Sequence, residues 1–244
     1  MKTNQDYKNA ALRALKGNWA SAVLATIILF AAAMVLSGPY SVPYTKVIID
    51  NPQISGMASS NPEAYLAAMA PVMRGSGIMI LAFFLLFYPL CVGYYNACNK
   101  LLIEGDDRLT SNMFSIAFNN FGHKVCGMFL MYVFIFLWSL LFLIPGIIKT
   151  FSYAMTPYIL EENPELSANQ AIDRSRAMMK GHKFDLFYLW LSFIGWGILC
   201  MFTLGIGFLW LTPYMYTATA SFYEDVKADY GTGFDAEIRD AAGR

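Results

Sequence analysis

The stretch "RSRAMMKGHKFDLFYLW", from Arg174 to Trp190, passes within a few residues from a basic segment into an apolar one. Upstream of this border, small and apolar residues recur at the spacing of one helical face, and charged residues occupy the other face. Ser167 and Gln170 have the spacing of a capping box at a helix N-terminus. The pattern predicts a short amphipathic helix from Ser167 to about Gly181, followed by a membrane span.

The composition of the whole chain is typical of an integral membrane protein. Of its 244 residues, 57% are hydrophobic and 14% are charged, whereas soluble domains carry about 25% charged residues. We therefore predict an all-α polytopic membrane protein with a single integral membrane domain, residues 1–244, and six transmembrane helices. The spans are expected at residues 19–36, 78–103, 125–144, 147–160, 184–204 and 206–223. The segment 147–160 is short for a span, since about 20 residues are needed to cross the hydrocarbon core.

The border pattern occurs twice more in the chain. Thr3 is placed to cap a helix that ends at Lys16-Gly17, with an apolar face formed by Tyr7, Ala11, Ala14 and Leu15. A third helix is expected after Thr110 and ends at Gly122-His123-Lys124, with an apolar face formed by Phe114, Ala117, Phe118 and Phe121.

Each of the three borders is followed by an outward span and by a return span that ends in acidic residues. We interpret the chain as three copies of one unit, and so as three hairpins, each preceded by a short cytoplasmic amphipathic interfacial helix. The connection at residues 37–77 is expected to be an external loop. Within it, Pro62–Met73 has the pattern of a short helix capped by Asn61 that would lie on the outer surface as a lid, but an ordinary solvated loop is favoured.

The border residues suit an anionic membrane surface. Glycine tolerates the left-handed conformation that ends helices. Neighbouring cations suit both the negative end of the helix and the anionic lipids of the cytoplasmic leaflet. We predict contact with these lipids at the borders, through Lys16, Gly17, Trp19, His123, Lys124, Arg174, Arg176, Lys180, Gly181, His182 and Lys183. Proton chemistry at the two histidines is not needed to explain the motif.

Charge placement predicts the orientation. If the N-terminus is cytoplasmic and the six spans alternate, fourteen of the seventeen Lys and Arg residues lie on the cytoplasmic side. The other three are Lys46, Arg74 and Lys149. Cytoplasmic connections of membrane proteins carry an excess of Lys and Arg, so both termini are expected in the cytoplasm.

Enzymatic chemistry has no signature in the sequence. The HExxH, GxSxG, P-loop and dinucleotide-binding patterns are absent, and the four cysteines have no metal-ligand spacing. We predict no enzymatic activity, no cofactor, no metal and no nucleic-acid partner. The favoured function is that of a non-enzymatic structural or adaptor protein that binds lipid or partner proteins at the cytoplasmic membrane surface.

An alternative follows from the three return helices, which carry groups of polar, uncharged side chains and contain or adjoin a proline. Their polar side chains either line a shared cavity, as in a permease or lipid-handling protein, or form hydrogen bonds between helices and an aromatic belt. The candidate cavity residues are Tyr95, Asn96, Tyr153, Thr156, Tyr214 and Thr217.

Four segments carry a family resemblance: "LIPGIIKTFSYAMTPYIL" (Leu143–Leu160), "ENPELSANQAIDRSRAMMKGHK" (Glu162–Lys183), "LSFIGWGIL" (Leu191–Leu199) and "TPYMYTATASFYED" (Thr212–Asp225). With them, the chain resembles a bacterial membrane-protein family of unknown function, DUF975. The N-terminal "ALRALKGNWASA" is also similar to the start of that family. The resemblance implies a multi-pass protein of the bacterial inner membrane and gives no activity. More distantly, the chain resembles the non-catalytic membrane domain of glycerophosphodiester phosphodiesterases, from which no catalytic residue carries over.

Overall fold

The computed structural model describes residues 2–50 and 52–242, without the side chains of residues 37–45, 55, 71–80, 82, 141, 143 and 232–242. The regular elements of these residues are all α-helices, so the predicted all-α class is confirmed. In chain order they are α1 (Asn4–Leu15), α2 (Trp19–Asp50), α3 (Ile54–Ser60), α4 (Pro62–Glu104), α5 (Leu109–Phe118), α6 (Phe121–Leu141), α7 (Leu143–Tyr153), α8 (Thr156–Glu162), α9 (Ala168–Met178), α10 (Lys183–Leu191), α11 (Ile194–Phe202) and α12 (Phe208–Ala242).

Within the described residues, three stretches are long and apolar enough to cross a membrane: Trp19–Leu36, Phe121–Leu140 and Lys183–Phe202. They are consistent with a membrane protein and overlap three of the predicted spans. The predicted span 147–160 is divided between α7 and α8, which are 11 and 7 residues long. At 1.5 Å per residue each is too short to cross about 30 Å of hydrocarbon. The six-span count, the three hairpins and the threefold repeat stay predictions.

The predicted external loop at residues 37–77 is mostly helical, so that prediction is wrong. Helix α2 continues to Asp50, α3 follows, and α4 starts at Pro62. The amide of Ala64 donates to Asn61 Oδ1 at 3.1 Å, which confirms the predicted cap. Helix α4 then runs on to Glu104 instead of ending near Met73. Membrane helices tolerate the proline and glycine residues that suggested a loop.

The chain divides into two compact units. One contains residues 1–27 and 89–244, and the other is Ile28–Tyr88. Every candidate lipid-binding or cavity residue falls in the first unit. Within that unit, α1 packs on α12, where the Tyr7 ring meets the edge of Phe222 at 5.5 Å. Helix α6 packs along α7, and α9 packs against α6 and α8.

Two of the three predicted helix borders are confirmed. Ser167 forms the N-terminal capping box expected from the sequence, and Thr3 caps α1 as expected, in a capping box with Asp6. Gly17 and Gly181 have φ angles of 90° and 93°, a region that side chains other than glycine rarely adopt. Each glycine therefore permits the chain to turn between a short helix and the next element.

The third border differs from its prediction. Helix α5 ends at Phe118, and Asn120, with φ of 47°, occupies the left-handed conformation before α6 begins at Phe121. Gly122 therefore lies inside α6 and is not a hinge. Asparagine is among the few residues besides glycine that adopt this conformation readily, so it replaces the expected glycine.

The predicted apolar faces of α1 and α9 are buried in the protein, through Tyr7, Ala11 and Leu15 in the first and chiefly through Ala171, Ile172 and Met178 in the second. Their predicted position in the membrane interface stays a prediction. Of the predicted apolar face of α5, Ala117 is buried in the protein, whereas Phe114 and Phe118 are exposed. This helix buries Leu109, Met113, Ile116 and Ala117.

The orientation of α5 is set by close packing on α4. A side chain at Gly93 would overlap the Met113 carbonyl, so the two backbones approach at this glycine. The Met113 side of α5 therefore faces α4, and Phe114 and Phe118 remain 40% and 53% exposed.

One detail of the predicted orientation is also wrong. Lys149 was assigned to the side opposite Arg176 and Lys183. The structure places Lys149 close enough to interact electrostatically with both. Charges at this range are not separated by a hydrocarbon core of about 30 Å. The predicted span 147–160 is interrupted between α7 and α8. Helix α9 packs near this interruption, where Ser175 Oγ donates to the Ser152 carbonyl at 3.0 Å.

Candidate functional site

Lys124 lies at the centre of the first group of candidate residues. Its Nζ is 2.7 Å from Glu161 Oε2, and its side chain is only 1% exposed. The same ammonium donates hydrogen bonds to the carbonyls of Ile116 and Asn119. These carbonyls belong to the C-terminal end of α5, where the last carbonyl groups lack N–H donors within the helix. Lys124 thus joins α5, α6 and α8, and its predicted contact with lipid is wrong because it is buried.

His182 lies between two carboxylates. Its Nε2 is 3.1 Å from Asp229 Oδ2, and its Nδ1 is 3.6 Å from Asp185 Oδ2. The pair with Asp229 links the start of α10 to α12. His182 is therefore engaged with protein groups and is only partly accessible.

The two candidate arginines also have protein partners. Arg176 pairs with Asp173 at 3.0 Å on the exposed face of α9, and Arg174 Nη1 donates to Asn163 Oδ1 at 3.0 Å. Exposed pairs of this kind contribute little stability. The Arg176–Asp173 ion pair does, however, reduce the positive charge that α9 presents to an anionic surface, whereas the neutral Asn163 leaves the charge of Arg174 unchanged.

The burial of the candidate lipid-binding residues falls into three classes. Lys124 is buried. Half-buried residues are Trp19, His123, Arg174, His182 and Lys183. Exposed residues are Lys16, Gly17, Arg176, Lys180 and Gly181.

A polar network around the middle of α12 was not predicted. The Tyr223 hydroxyl donates to Glu162 Oε2 at 2.7 Å, and Lys227 Nζ donates to Glu162 Oε1 at 2.8 Å. Asn99 Nδ2 donates to Glu224 Oε1 at 3.0 Å. The acidic ends of the return helices indicated that charge collects here. The pairing depends on which helices are neighbours, and the sequence pattern does not contain that information.

Helix α1 is fixed to the same part of α12 by Asp225. The Tyr7 hydroxyl donates to Asp225 Oδ2 at 2.7 Å, and the Lys2 amide donates to it at 2.9 Å. Burial raises the pKa of the Asp225 carboxyl, but these two hydrogen bonds and the Lys2 charge lower it more, so the pKa lies below its ordinary value. Burial and the bond to Asp225 raise the pKa of Tyr7.

The second group of candidates surrounds a cavity of about 110 Å³. Two of the predicted residues, Tyr95 and Tyr153, line it. Asn96, Thr156, Tyr214 and Thr217 are outside its lining. The rest of the wall is mostly apolar and aromatic, and its residues come from α4, α6, α7, α8, α10 and α12.

Some predicted cavity residues instead join helices. Asn96 is buried, and its Nδ2 donates to the carbonyls of Val92 and Pro157 at 2.9 and 3.0 Å, which links α4 to α8. The Tyr214 ring meets Phe193 edge-on at 5.1 Å. Among the candidate cavity residues, some therefore line the cavity and others connect helices.

Contacts between tyrosines bring the three return segments together. Tyr95 of α4 lies 4.7 Å from Tyr216 of α12 and 6.1 Å from Tyr158 of α8, measured between ring centroids. Tyr158 in turn stacks on Tyr223 at 4.5 Å. The sequence showed that these helices are rich in tyrosine, but it did not distinguish Tyr158 and Tyr216 from the others.

The described architecture defines the class of the molecule as a helical membrane protein with a small internal cavity. A family model described as "Protein of unknown function (DUF975)" matches residues 140–230. The resemblance to this family is thereby confirmed over a region that starts at the end of α6 and includes most of α12. No curated protein and no solved structure matches the chain. The cavity walls formed by α7, α8, α10 and α12 lie in the matched region.

Proposed function

We propose that the protein is a non-enzymatic lipid-handling protein that holds part of a lipid, or a small apolar molecule, in its cavity. The observation that supports this proposal is the common wall formed by all three return segments. Tyr95 comes from α4, Tyr153 from α7, and Tyr216 and Thr219 from α12. Side chains far apart in sequence therefore face one space.

The lining indicates the chemical class of the ligand. Met128, Met131 and Ile135 of α6 offer apolar surface, and Phe151 and Trp190 add aromatic rings. Tyrosine and threonine hydroxyls are the polar groups of the wall. An apolar cavity of about 150 Å³ accommodates benzene, so a cavity of about 110 Å³ accommodates only the end of an acyl chain or a molecule of similar size. These features favour lipid handling over permeation of a polar solute.

A cavity-filling variant tests the proposal. Ala154 lines the cavity, and Ala154→Phe would occupy much of it. Ala228 is exposed on α12, so Ala228→Phe is a matched control. The probe is a single-chain lysophospholipid, and bound copies are counted by native mass spectrometry of the purified protein.

We expect the wild type and Ala228→Phe to retain one lysophospholipid, and Ala154→Phe to retain at least fivefold less. Equal retention by a folded Ala154→Phe protein, with an unchanged melting temperature, would contradict the proposal. So would a wild-type protein that retains none.

A second candidate function is that of a structural or adaptor protein that binds anionic lipid at the membrane surface. It is favoured by Lys16 and Lys180, which are exposed, form no ion pair among the described residues and directly precede Gly17 and Gly181. Candidate spans begin just after both glycines. A cation near an anionic surface contributes about 1 kcal/mol.

Spin-labelled lipids test this second function in the reconstituted protein. We expect the combined variant Lys16→Gln, Lys180→Gln and Lys183→Gln to reduce the preference for phosphatidylglycerol over phosphatidylcholine at least twofold. The control Asp173→Asn with Arg176→Gln removes an existing pair without a change in net charge, and should keep the preference. An unchanged preference in the triple variant would exclude this function.

A further inference from the structure

Each of the three candidate spans is preceded by a short helix. These helices, α1, α5 and α9, differ in the side chains that they expose. Helices α1 and α9 bury their apolar faces against the protein. The exposed side of α9 is mainly polar, with Asp173, Arg176 and Lys180. Helix α5 alone among these three exposes two large aromatic side chains, Phe114 and Phe118.

This exposure is fixed by packing on the opposite side of α5. Met113 is held against α4 at Gly93, where the two backbones approach. The carbonyls of Ile116 and Asn119 accept hydrogen bonds from Lys124, which is itself paired with Glu161. Rotation of α5 to hide its phenylalanines would break these contacts, so the aromatic side is held outward.

The aromatic surface continues onto a candidate membrane span. The Phe118 ring lies 6.1 Å from Phe121 with an interplanar angle of 12°, and Phe121 begins the span Phe121–Leu140. Only 22% of that span is buried in the protein, and Phe136 and Leu140 are among its exposed side chains. A surface continuous with a lipid-facing helix has lipid as its natural partner.

The exposed side of α5 also has one apolar edge and one polar edge, as a helix at the membrane interface requires. Phe114 and Phe118 occupy one edge, and Ser111, Ser115 and Asn119 occupy the adjacent edge. Helix α5 contains no Asp, Glu, Lys or Arg. An uncharged helix of this kind gains from burial of its aromatic rings, whereas helices of the basic type also depend on anionic lipid.

We propose that α5 lies in the lipid interface, with Phe114 and Phe118 inserted at the boundary between headgroups and acyl chains. The serine edge faces water. The helix thereby anchors the junction between α4 and α6, while α1 and α9 remain docked on the protein. This anchoring depends on neither the cavity nor the exposed lysines, so it goes beyond both proposed functions.

Site-directed spin labels test this placement in the protein reconstituted into neutral phosphatidylcholine bilayers. The four native cysteines are first replaced, and single labels are placed at Phe114, Phe118, Ser111 and Ser115. Collision with oxygen, which concentrates in the acyl region, is compared with collision with a water-soluble nickel chelate. We expect the oxygen-to-nickel ratio at positions 114 and 118 to exceed that at 111 and 115 at least threefold.

Two results would overturn the proposal. Equal ratios at all four positions would place the aromatic edge in water. Exclusion of both relaxants from positions 114 and 118 would show that a second copy of the chain or another protein covers the edge.

A measurement on the wild-type chain avoids any effect of the labels on folding. A phosphatidylcholine with a diazirine near the glycerol end of its acyl chain is photoactivated, and peptides are compared by mass spectrometry. We expect residues 109–118 to acquire at least threefold more lipid than residues 168–178. Equal labelling of the two helices contradicts the proposed insertion of α5.

Discussion

Two borders in this molecule have the same three residues, Gly-His-Lys, yet differ in structure. At Gly122-His123-Lys124, the glycine lies within α6 and the lysine is buried beside Glu161. At Gly181-His182-Lys183, the glycine has φ of 93° and the lysine is only half-buried. The histidine of the second border, not its lysine, holds the distant carboxylate of Asp229.

The difference shows what a local motif determines. In both borders a short helix ends and a new helix begins, which is a local property of the backbone. The position of the cation depends on whether an acidic residue from another helix lies beside it. Glu161 occupies that position at the first border, and Asp229 approaches the histidine at the second. Similar sequences therefore form one buried ion pair and one largely exposed contact.

The largest expected difference between the borders concerns their charged contacts. Lys124→Gln should lower the free energy of unfolding by about 3 kcal/mol, because it leaves Glu161 without its partner and frees two carbonyls of α5. His182→Asn should cost less than about 1 kcal/mol, since its contacts are partly exposed. Reversible unfolding of the purified protein in mixed detergent micelles measures both values.

The double variant Lys124→Met with Glu161→Met is the control for the buried pair. Replacement of both partners by apolar groups removes the unpaired charge, so the double variant should be more stable than Lys124→Met alone. Equal losses for Lys124→Gln and His182→Asn would show that the two borders do not differ in energy as they do in structure.

The glycines of the two borders should respond to alanine with opposite sign. Gly181→Ala should destabilise the protein by about 1–2 kcal/mol, because alanine is strained at positive φ although no atom blocks its Cβ. Gly122→Ala should be neutral or stabilise by up to about 1 kcal/mol, since this glycine is inside a helix with open space beside it and alanine favours helices.

Melting temperatures of the two alanine variants, measured in the same detergent, are sufficient to compare them. Loss of stability in both would mean that Gly122 is needed as a hinge, as the sequence pattern suggested.

Local signals in the sequence predicted the local structure well. Thr3 and Ser167 were identified as caps because capping depends on residues within one turn. The buried faces of α1 and α9 followed from helical periodicity. Periodicity grouped Phe114 and Phe118 of α5 on one apolar face but did not identify Met113 as the residue packed on α4, because its packing at Gly93 is a contact between distant segments.

The candidate sites were less predictable for the same reason. Tyr95 and Tyr153, two of the candidate cavity residues, line the cavity of the structure, whereas Asn96 and Thr156 are not part of its lining. Adjacent residues on a helix point in different directions, and the tilt of each helix decides which of them reaches the cavity. Prolines at residues 37–77 suggested a loop because proline breaks helices in water, but apolar helices in membranes tolerate it.

The smallest expected effect concerns α1. Its border at Lys16-Gly17 resembles the border at Gly181, where the glycine has a positive φ and the lysine is not buried. Asp225 holds this helix, and its lowered pKa means that the contact contributes stability above the ordinary carboxyl pKa. That contribution is lost as the pH falls through the lowered pKa of the folded state. Tyr7→Phe removes one hydrogen bond to the carboxylate and should cost about 1 kcal/mol or less at neutral pH.

Hydrogen exchange of residues 4–15 in the purified protein measures this effect as a function of pH. Protection of α1, after correction for intrinsic exchange, should fall in acid for the wild type and should depend less on pH in Tyr7→Phe and Asp225→Asn. The variant Asp6→Asn distinguishes the pH dependence caused by Asp6 from that caused by Asp225. The Asp6 carboxylate caps α1 and also has a lowered pKa because of its hydrogen bonds to Thr3. If Tyr7→Phe and the wild type lose protection over the same pH range and to the same extent, the Asp225 contact does not hold α1.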